Sequence, residues 1–440
     1  MSLMFSISGL RGIVNEDLTA GVVLKYAYAF GKFLKPGKVV IGRDARKSGK
    51  TFSRTVIRGL NAAGCSVIDL GIVPTPTVLF MVRKLNGQGG IIITASHNPV
   101  EWNALKFVSR KGQFLQEQEH IKFLKFINNL QIVKQSPRKF SNVNELKSGV
   151  NEHINKIVGV MKLRSVKFGI GVDAVNGAGS ICLPRLLEKI GCKVYRLNCK
   201  FSPNFPRGPE PTPENIKALC HLVKKNRLDF GFAVDPDCDR LSIVDENGEA
   251  IGEENTLALA TDYILSKTKG NVVTNLSTTA LLDYVVRKHD GKLYRTKVGE
   301  ANVVAEMQRV KAIIGGEGNG GVIYPKINFT RDALVGAAII LKLLVERNRS
   351  ISRVLVEYPR YHMIKKKIKI GKWRFDEQRE KIIRAFEGKI NFIDGIRITG
   401  QDYWLHIRPS QTEPIIRIIG EAREKRKIEK YIEKVENLLK

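Results

Sequence analysis

The sequence predicts an α/β protein built from three similar α/β domains followed by a fourth of a different kind. Residues 38–71 read as an apolar strand, a polar glycine-containing loop, a helical stretch and a return strand, AGCSVIDLG. Residues 167–198 repeat that plan, with IGCKV answering AGCSV, and 270–299 give it a third time with DGKLY in the return position. Strands alternating with helices argue for parallel pairing, and three copies of one plan argue for three similar domains. The tail from about 366 breaks the pattern. Strands around DGIRITG and YWLHIRPS lead into a helix where Ile428, Ile432, Val435 and Leu439 form one apolar face, leaving its charges to solvent.

Composition places the boundaries. QIVKQSPRKFSNVNELKSGV, near 131–150, is polar and loop-like; Glu246-Asn247-Gly248 makes a hairpin turn after LSIVD; YPRYHMIKKKIKI closes the third unit. The expected domains are 1–150, 151–252, 253–365 and 366–440.

The totals exclude several classes. With 43% hydrophobic and 26% charged residues the chain is expected to be folded and soluble. No stretch of 18 apolar residues suggests a membrane span, and MSLMFSISGLRG has no basic leader, so a cytoplasmic protein is expected. Six cysteines without a C-x-x-C pair suit reduced thiols. The net charge of +30 favours anionic ligands, nucleic acid among them. The basic residues are spread along the chain, however, and no RNP-type aromatic run, zinc spacing or basic arm accompanies them.

Four stretches carry chemistry. In GIIITASHNPVEWNALKF, Ser96 follows an apolar strand and Lys106 comes ten residues later. A nucleophile elbow needs glycines two residues to either side, where this chain has Thr94 and Asn98. Adjacent side chains on extended backbone point apart, which disfavours a Ser96–His97 dyad. A simple ST-turn and a phosphate carrier remain. In LDFGFAVDPDCDRLSIVDENG, Asp235, Asp237 and Asp239 would repel one another unless a hard divalent cation held them. An EF-hand would place Glu246 at position twelve but needs glycine where Arg240 stands. A haloacid-dehalogenase-type nucleophile fits less well, because Asp239 occupies its final position. Mg²⁺, which keeps open positions for phosphate oxygens, suits the cluster. In IIGGEGNGGVIYP, five glycines permit close approach of backbone to a ligand, and Glu317 and Asn319 offer partners for sugar hydroxyls. In HIRPSQTEPIIRI, Arg408, Ser410, Gln411, Thr412 and Arg417 supply the donors a phosphate dianion needs.

Together and in this order, the four stretches closely resemble the phosphoserine, magnesium, sugar and phosphate-binding loops of the α-D-phosphohexomutase superfamily. The resemblance spans nearly the whole chain. It implies three similar α/β domains and a TATA-box-binding-protein-like α+β domain around a central cleft. It also implies a cytoplasmic enzyme that interconverts hexose or hexosamine 6-phosphate and 1-phosphate. Ser96 would carry the phosphoryl group, one Mg²⁺ would sit on Ser96, Asp235, Asp237 and Asp239, and a hexose bisphosphate would be the intermediate. Arg240 would help hold the serine phosphate, while Arg11, His97 and Lys106 would serve proton transfer and charge balance. Arg43 of GRDARKSG lies in another matching motif, with a supporting role. Lys297, Gly299, Glu317 and Asn319 would contact the sugar; Arg408, Ser410, Thr412 and Arg417 would hold its non-reacting phosphate. Expected partners are a phosphosugar and, at most, a second copy of the chain, as a monomer or homodimer.

Two departures shape the reading. The family often has Asn-Gly-x-Lys where this chain has Asn103-Ala104-Leu105-Lys106, and alanine lacks glycine's access to positive φ, so a different loop path is expected. Gly316-Glu317-Gly318-Asn319-Gly320-Gly321 looks more like archaeal-type members than like bacterial phosphoglucosamine mutases. Glucosamine phosphate is the expected substrate, with mannose or glucose phosphate next. The rivals are a basic nucleic-acid-binding protein on a former enzyme scaffold and a phosphatase that loses its phosphoserine to water.

Overall fold

The structure, a computed structural model, describes residues 3–130, 143–369, 372–410 and 415–439. Among these, the strands gather into four sheets. In the first, Met4–Ser6 (β1), Gly9–Ile13 (β2), Lys38–Arg43 (β3), Ser66–Ile72 (β4), Gly89–Ile93 (β5), Trp102–Ser109 (β6) and Val143–Glu145 (β7) take the order β1-β2-β6-β5-β3-β4-β7. The second comprises Gly169–Asp173 (β8), Lys193–Leu197 (β9), Phe230–Val234 (β10) and Leu241–Val244 (β11), ordered β11-β10-β8-β9. Asn271–Asn275 (β12), Lys292–Thr296 (β13), Ile314–Glu317 (β14) and Gly321–Ile323 (β15) form the third, ordered β13-β12-β14-β15. The fourth orders His362–Ile368 (β16), Lys389–Asn391 (β17), Ile396–Thr399 (β18), Tyr403–Pro409 (β19) and Ile416–Ala422 (β20) as β16-β20-β19-β18-β17.

The three repeats of the sequence are one folding plan. Each first strand (β3, β8, β12) pairs in parallel with its return strand (β4, β9, β13). On its other side lies a further parallel strand (β5, β10, β14). An antiparallel strand (β6, β11, β15) then closes the plan. The first module extends this core with β7 on one edge and β2 and β1 on the other. The turn before the closing strand holds residues 94–101 in the first module, 235–240 in the second and 318–320 in the third. Three of the four chemistry-bearing stretches therefore occupy the same position of a repeated unit.

The fourth sheet is antiparallel throughout. Its first strand, β16, begins at His362 and pairs with β20 along its whole length, so the division placed at 365/366 falls inside a strand. The helix Lys425–Leu439 buries Ile428, Ile432, Val435 and Leu439 against this sheet, the face its periodicity predicts. Gly248, at φ +79°, donates its N–H to Asp245 in the turn that ends the second unit. Part of the polar stretch near 131–150, residues 131–142, lies outside the described residues.

The modules are joined in two ways. The second and third share a single apolar core, in which Leu241 and Ile243 of one pack with Leu257, Val322 and the helix Ala333–Arg347 of the other. The fourth has a core of its own and meets the third through polar contacts. His406 Nδ1 lies 2.8 Å from Ser277 Oγ, and Glu421 accepts from Thr279 Oγ1 and from the Ala280 N–H. Ile432→Ala should therefore act locally. It leaves a cavity expected to destabilise the fourth module by about 2–5 kcal/mol. Hydrogen exchange followed by mass spectrometry should accelerate across residues 396–439 and stay unchanged in the first module.

Candidate active site

Strand β5, GGIII, is fully buried and delivers Thr94-Ala95-Ser96 at its end. There the chain turns with Ser96 at φ +50°, a left-handed conformation that a serine holds only when its surroundings impose it. Arg46 imposes it. Its guanidinium pairs with Asp44 at 3.0 Å and donates to four carbonyls of the turn: Ser96 and Asn98 at 2.7 Å, Pro99 at 2.5 Å and Trp102 at 2.9 Å. Thr94 Oγ1 accepts from the Ser96 N–H at 2.9 Å and donates to Asp44 at 2.6 Å, tying the serine to the same pair. Arg43, the arginine picked from that motif by sequence, donates only to the Asp44 carbonyl and does not line the cleft. Arg46 is the working member of GRDARKSG.

Ser96 Oγ donates to Asp235 Oδ2 at 3.0 Å, so the turns of the first two modules meet face to face. Asp235, Asp237 and Asp239 are all buried, with ligand atoms within 4.8 Å of one another. Asp235 Oδ1 accepts the N–H groups of Asp239 and Arg240, which shapes the loop locally. Asp237 Oδ2 takes Lys106 Nζ at 2.8 Å and Thr75 Oγ1 at 2.7 Å; Asp239 Oδ2 takes Arg331 at 2.7 Å. That leaves Asp237 Oδ1 and Asp239 Oδ1 buried without a hydrogen-bond partner. Orphaned buried carboxylate oxygens converging beside a serine hydroxyl form an all-oxygen donor set that fits a hard divalent cation. Glu246, the would-be twelfth EF-hand position, instead accepts from Ser352, which closes that alternative.

Burial, then Asp239 and Asp237, push the Asp235 carboxyl well above the usual carboxylate range. Burial also raises Asp237, but the Lys106 charge and the hydrogen bonds from Lys106 and Thr75 outweigh it and hold that carboxyl low. His97, which lines the cleft, is driven well below the usual imidazole range by burial, then by Arg240, Arg11 and Arg331, so its ring is neutral. Its Nδ1 has no hydrogen-bond partner. Arg11, on β2, donates to Asn98 at 2.7 Å; burial lowers its guanidinium to about 10. Arg240 is buried, pairs with Glu210 at 2.5 Å and stands 3.7 Å from Asp239.

All four modules wall one cleft of about 1350 Å³. Glu317 and Asn319 line it from the third module, and Asn319 Oδ1 is without a partner. Glu317 is fixed by Asn275 at 2.8 Å, the Gly299 N–H at 3.0 Å and Arg331 at 2.8 Å. Of the sugar-loop glycines Gly318 lines the cleft beside Glu317 and Asn319. Packing also uses them: a Cβ on Gly316 would lie 2.0 Å from the Gly321 carbonyl, and one on Gly318 1.9 Å from Glu254. Gly299 lines the cleft, but Lys297 is exposed and outside the wall. At the far end Arg408 and Arg417 stand directly opposite one another on β19 and β20, with Ser410 alongside. Arg408 stands 3.9 Å from Asp394, and the two facing arginines offer charge-assisted donors of the kind that suit an anion. Gln411 and Thr412 lie outside the described residues. Ala104 sits in β6 opposite Arg11, in extended backbone, so the replaced glycine changes no loop path: a strand delivers Lys106.

Three α/β modules and a fourth, antiparallel one walling a single cleft, with a buried serine against a carboxylate triad, define a phosphoryl-transfer enzyme. The chain belongs to the phosphoglucomutase/phosphomannomutase family. Residues 2–131, 150–248 and 253–361 match its alpha/beta/alpha domains I, II and III, and 372–438 its C-terminal domain. A protein of Pyrococcus abyssi named probable phosphoglucosamine mutase is 37% identical, with 100% of this chain and 98% of that protein covered. A phosphoglucomutase/phosphomannomutase of Thermococcus kodakarensis is 36% identical, covering 98% and 97%. The crystal structure of a phosphoglucomutase/phosphomannomutase family protein from Burkholderia thailandensis superposes with a TM-score of 0.86 at 27% identity, covering 99% and 98%.

Sequence reasoning missed Arg46, Arg331, Glu210, Glu300 and Thr75. Arg46 and Arg331 each carry one local signal, an aspartate one or two residues away. Arg46→Lys keeps a cation beside Asp44 but loses the fork that spans four carbonyls. The Ser96 turn should loosen and kcat fall on the order of 100-fold, with the circular dichroism spectrum unchanged.

Proposed function

We propose that this protein is a Mg²⁺-dependent phosphohexomutase that interconverts hexosamine 6-phosphate and 1-phosphate through phospho-Ser96 and a bisphosphorylated sugar. The observation that carries this is the 3.0 Å contact between Ser96 and Asp235 in a cleft that also holds Glu317 and the Arg408–Arg417 pair. Glucosamine phosphate is the first choice of substrate, supported by the name of the Pyrococcus abyssi relative; mannose or glucose phosphate comes next. Six free thiols go with a reducing, cytoplasmic setting.

In the first half-reaction the bond from phosphorus to Ser96 Oγ breaks and one to a sugar hydroxyl oxygen forms. The hydroxyl proton leaves to a group at the cleft wall, where Arg11, His97 and Lys106 stand, and the Ser96 oxygen released from phosphorus takes up a proton in its place. Lys106 and Arg240 offset charge on the transferring oxygens. Asp235, Asp237, Asp239 and Ser96 would hold the Mg²⁺, which supplies charge stabilisation for the phosphoryl oxygens. Glu317, Asn319 and Gly299 orient the sugar, while Arg408, Ser410 and Arg417 hold the phosphate that does not react. The bisphosphate then turns end for end, and the reverse transfer returns its other phosphate to Ser96.

A coupled assay comparing glucosamine, mannose and glucose 6-phosphates at equal concentration tests the reading. Isomer should form fastest from the amino sugar, and Ser96→Ala should lower turnover by about 1000-fold or more. Steady release of inorganic phosphate without isomer would instead select a phosphatase. Asp237→Asn should weaken activation by Mg²⁺ and turnover together; an unchanged metal titration contradicts its place in the site.

A further inference from the structure

Arg331 spans three carboxylates from three parts of the site. Its Nη2 donates to Asp239 Oδ2 at 2.7 Å, its Nη1 to Glu317 Oε2 at 2.8 Å and its Nε to Glu300 Oε2 at 3.0 Å. Its own N–H is held by Glu300 Oε1 at 3.1 Å, and Thr330 Oγ1 bonds the same oxygen. All four residues are buried. Only a planar fork with donors pointing three ways makes these contacts at once; a lysine ammonium carries the charge but not the directions. The chain makes room for the fork, because a Cβ on Gly321 would lie 2.2 Å from Arg331 Cδ.

The consequence is geometric. Asp239 has one oxygen committed to Arg331 and the other left without a hydrogen-bond partner in the aspartate cluster. Glu317 is held by Arg331 on one oxygen and by Asn275 and Gly299 on the other, at the cleft wall. We propose that Arg331 is a positioning residue that sets the metal loop and the sugar loop as one unit, so that divalent-cation affinity and phosphosugar recognition depend on the same guanidinium. This rests on the mutase reading above and adds to it a link between two subsites that touch different ligands.

Two variants perturb the fork without removing a charge. Arg331→Lys keeps the cation and loses the directions; Gly321→Ala leaves every charged group in place and pushes the Arg331 side chain. Mn²⁺ binding to the free protein, followed by electron paramagnetic resonance without sugar, reads the metal side. KM and kcat for glucosamine 6-phosphate read the sugar side. Loss of a group orienting a metal ligand typically weakens metal affinity 10–100-fold. Arg331→Lys is expected within that range, with KM raised several-fold; Gly321→Ala should show both changes, smaller. If Arg331→Lys fails to fold, Gly321→Ala decides alone. Both readouts unchanged in a folded variant overturn the proposal. So does a change in only one of them, since a merely local role would leave the other untouched. A wild-type protein that binds Mn²⁺ but isomerises no phosphosugar would instead sink the mutase reading.

Discussion

Three aspartates buried at one point are the constraint on which this molecule depends. Asp235, Asp237 and Asp239 repel one another, and none reaches water. Such a cluster persists only if cations approach it, and the chain brings them from different modules: Lys106 from the first, Arg240 from the second, Arg331 from the third. Removing one partner of a buried pair costs about 3–5 kcal/mol, because it strands the other charge. The docking of the modules and the assembly of the site are thus one event. Backbone contacts reinforce it: the Thr75 N–H donates to the Asp237 carbonyl, and the Leu241 N–H to that of Gly320.

The repeated plan explains how loops far apart in sequence come to meet. Each module ends its third parallel strand at a turn at the carboxyl end of its sheet, the place where α/β sheets present ligand sites. The serine, the aspartates and the sugar-loop residues all occupy that turn. The fourth module contributes differently, with two arginines facing each other across antiparallel strands, and it joins the third through polar groups where the second and third share a core. A seam of hydrogen bonds re-forms after opening at little cost, whereas a shared apolar core does not. The fourth module is therefore joined to the third more loosely than the second is.

Much of this was legible in the sequence, for identifiable reasons. Strand–helix–strand repeats and the apolar face of the last helix are written in local periodicity, and Ser96 and the aspartates stand in short motifs whose chemistry has few alternatives. Arg46 and Arg331 were not legible. Each works through partners far along the chain, Asn98 and Trp102 for one, Asp239 and Glu317 for the other. Among 73 lysines and arginines, nothing in composition marks a buried guanidinium. Lys297 neighbours the cleft residues Val298 and Gly299, and its own side chain is exposed. In the glycine loop, packing against Glu254 and the opening to the cleft leave the same signature, because close approach looks alike whatever does the approaching.

The charge of the whole chain has a similar lesson. Among the described residues the cleft is lined by ten lysines and arginines against nine aspartates and glutamates, so the +30 does not reside there. It lies outside. From residue 18 to residue 68 the only acidic side chain is Asp44, buried against Arg46, while Lys25, Lys32, Lys35, Lys38, Lys47, Lys50, Arg54 and Arg58 are exposed. At physiological ionic strength exposed charges are screened beyond about 8 Å, so this outer field acts on the encounter with an anionic sugar and not on its fit. Within the cleft, folding places a short set of groups: an arginine pair at one end, a serine against three aspartates at the other, and a buried fork between them.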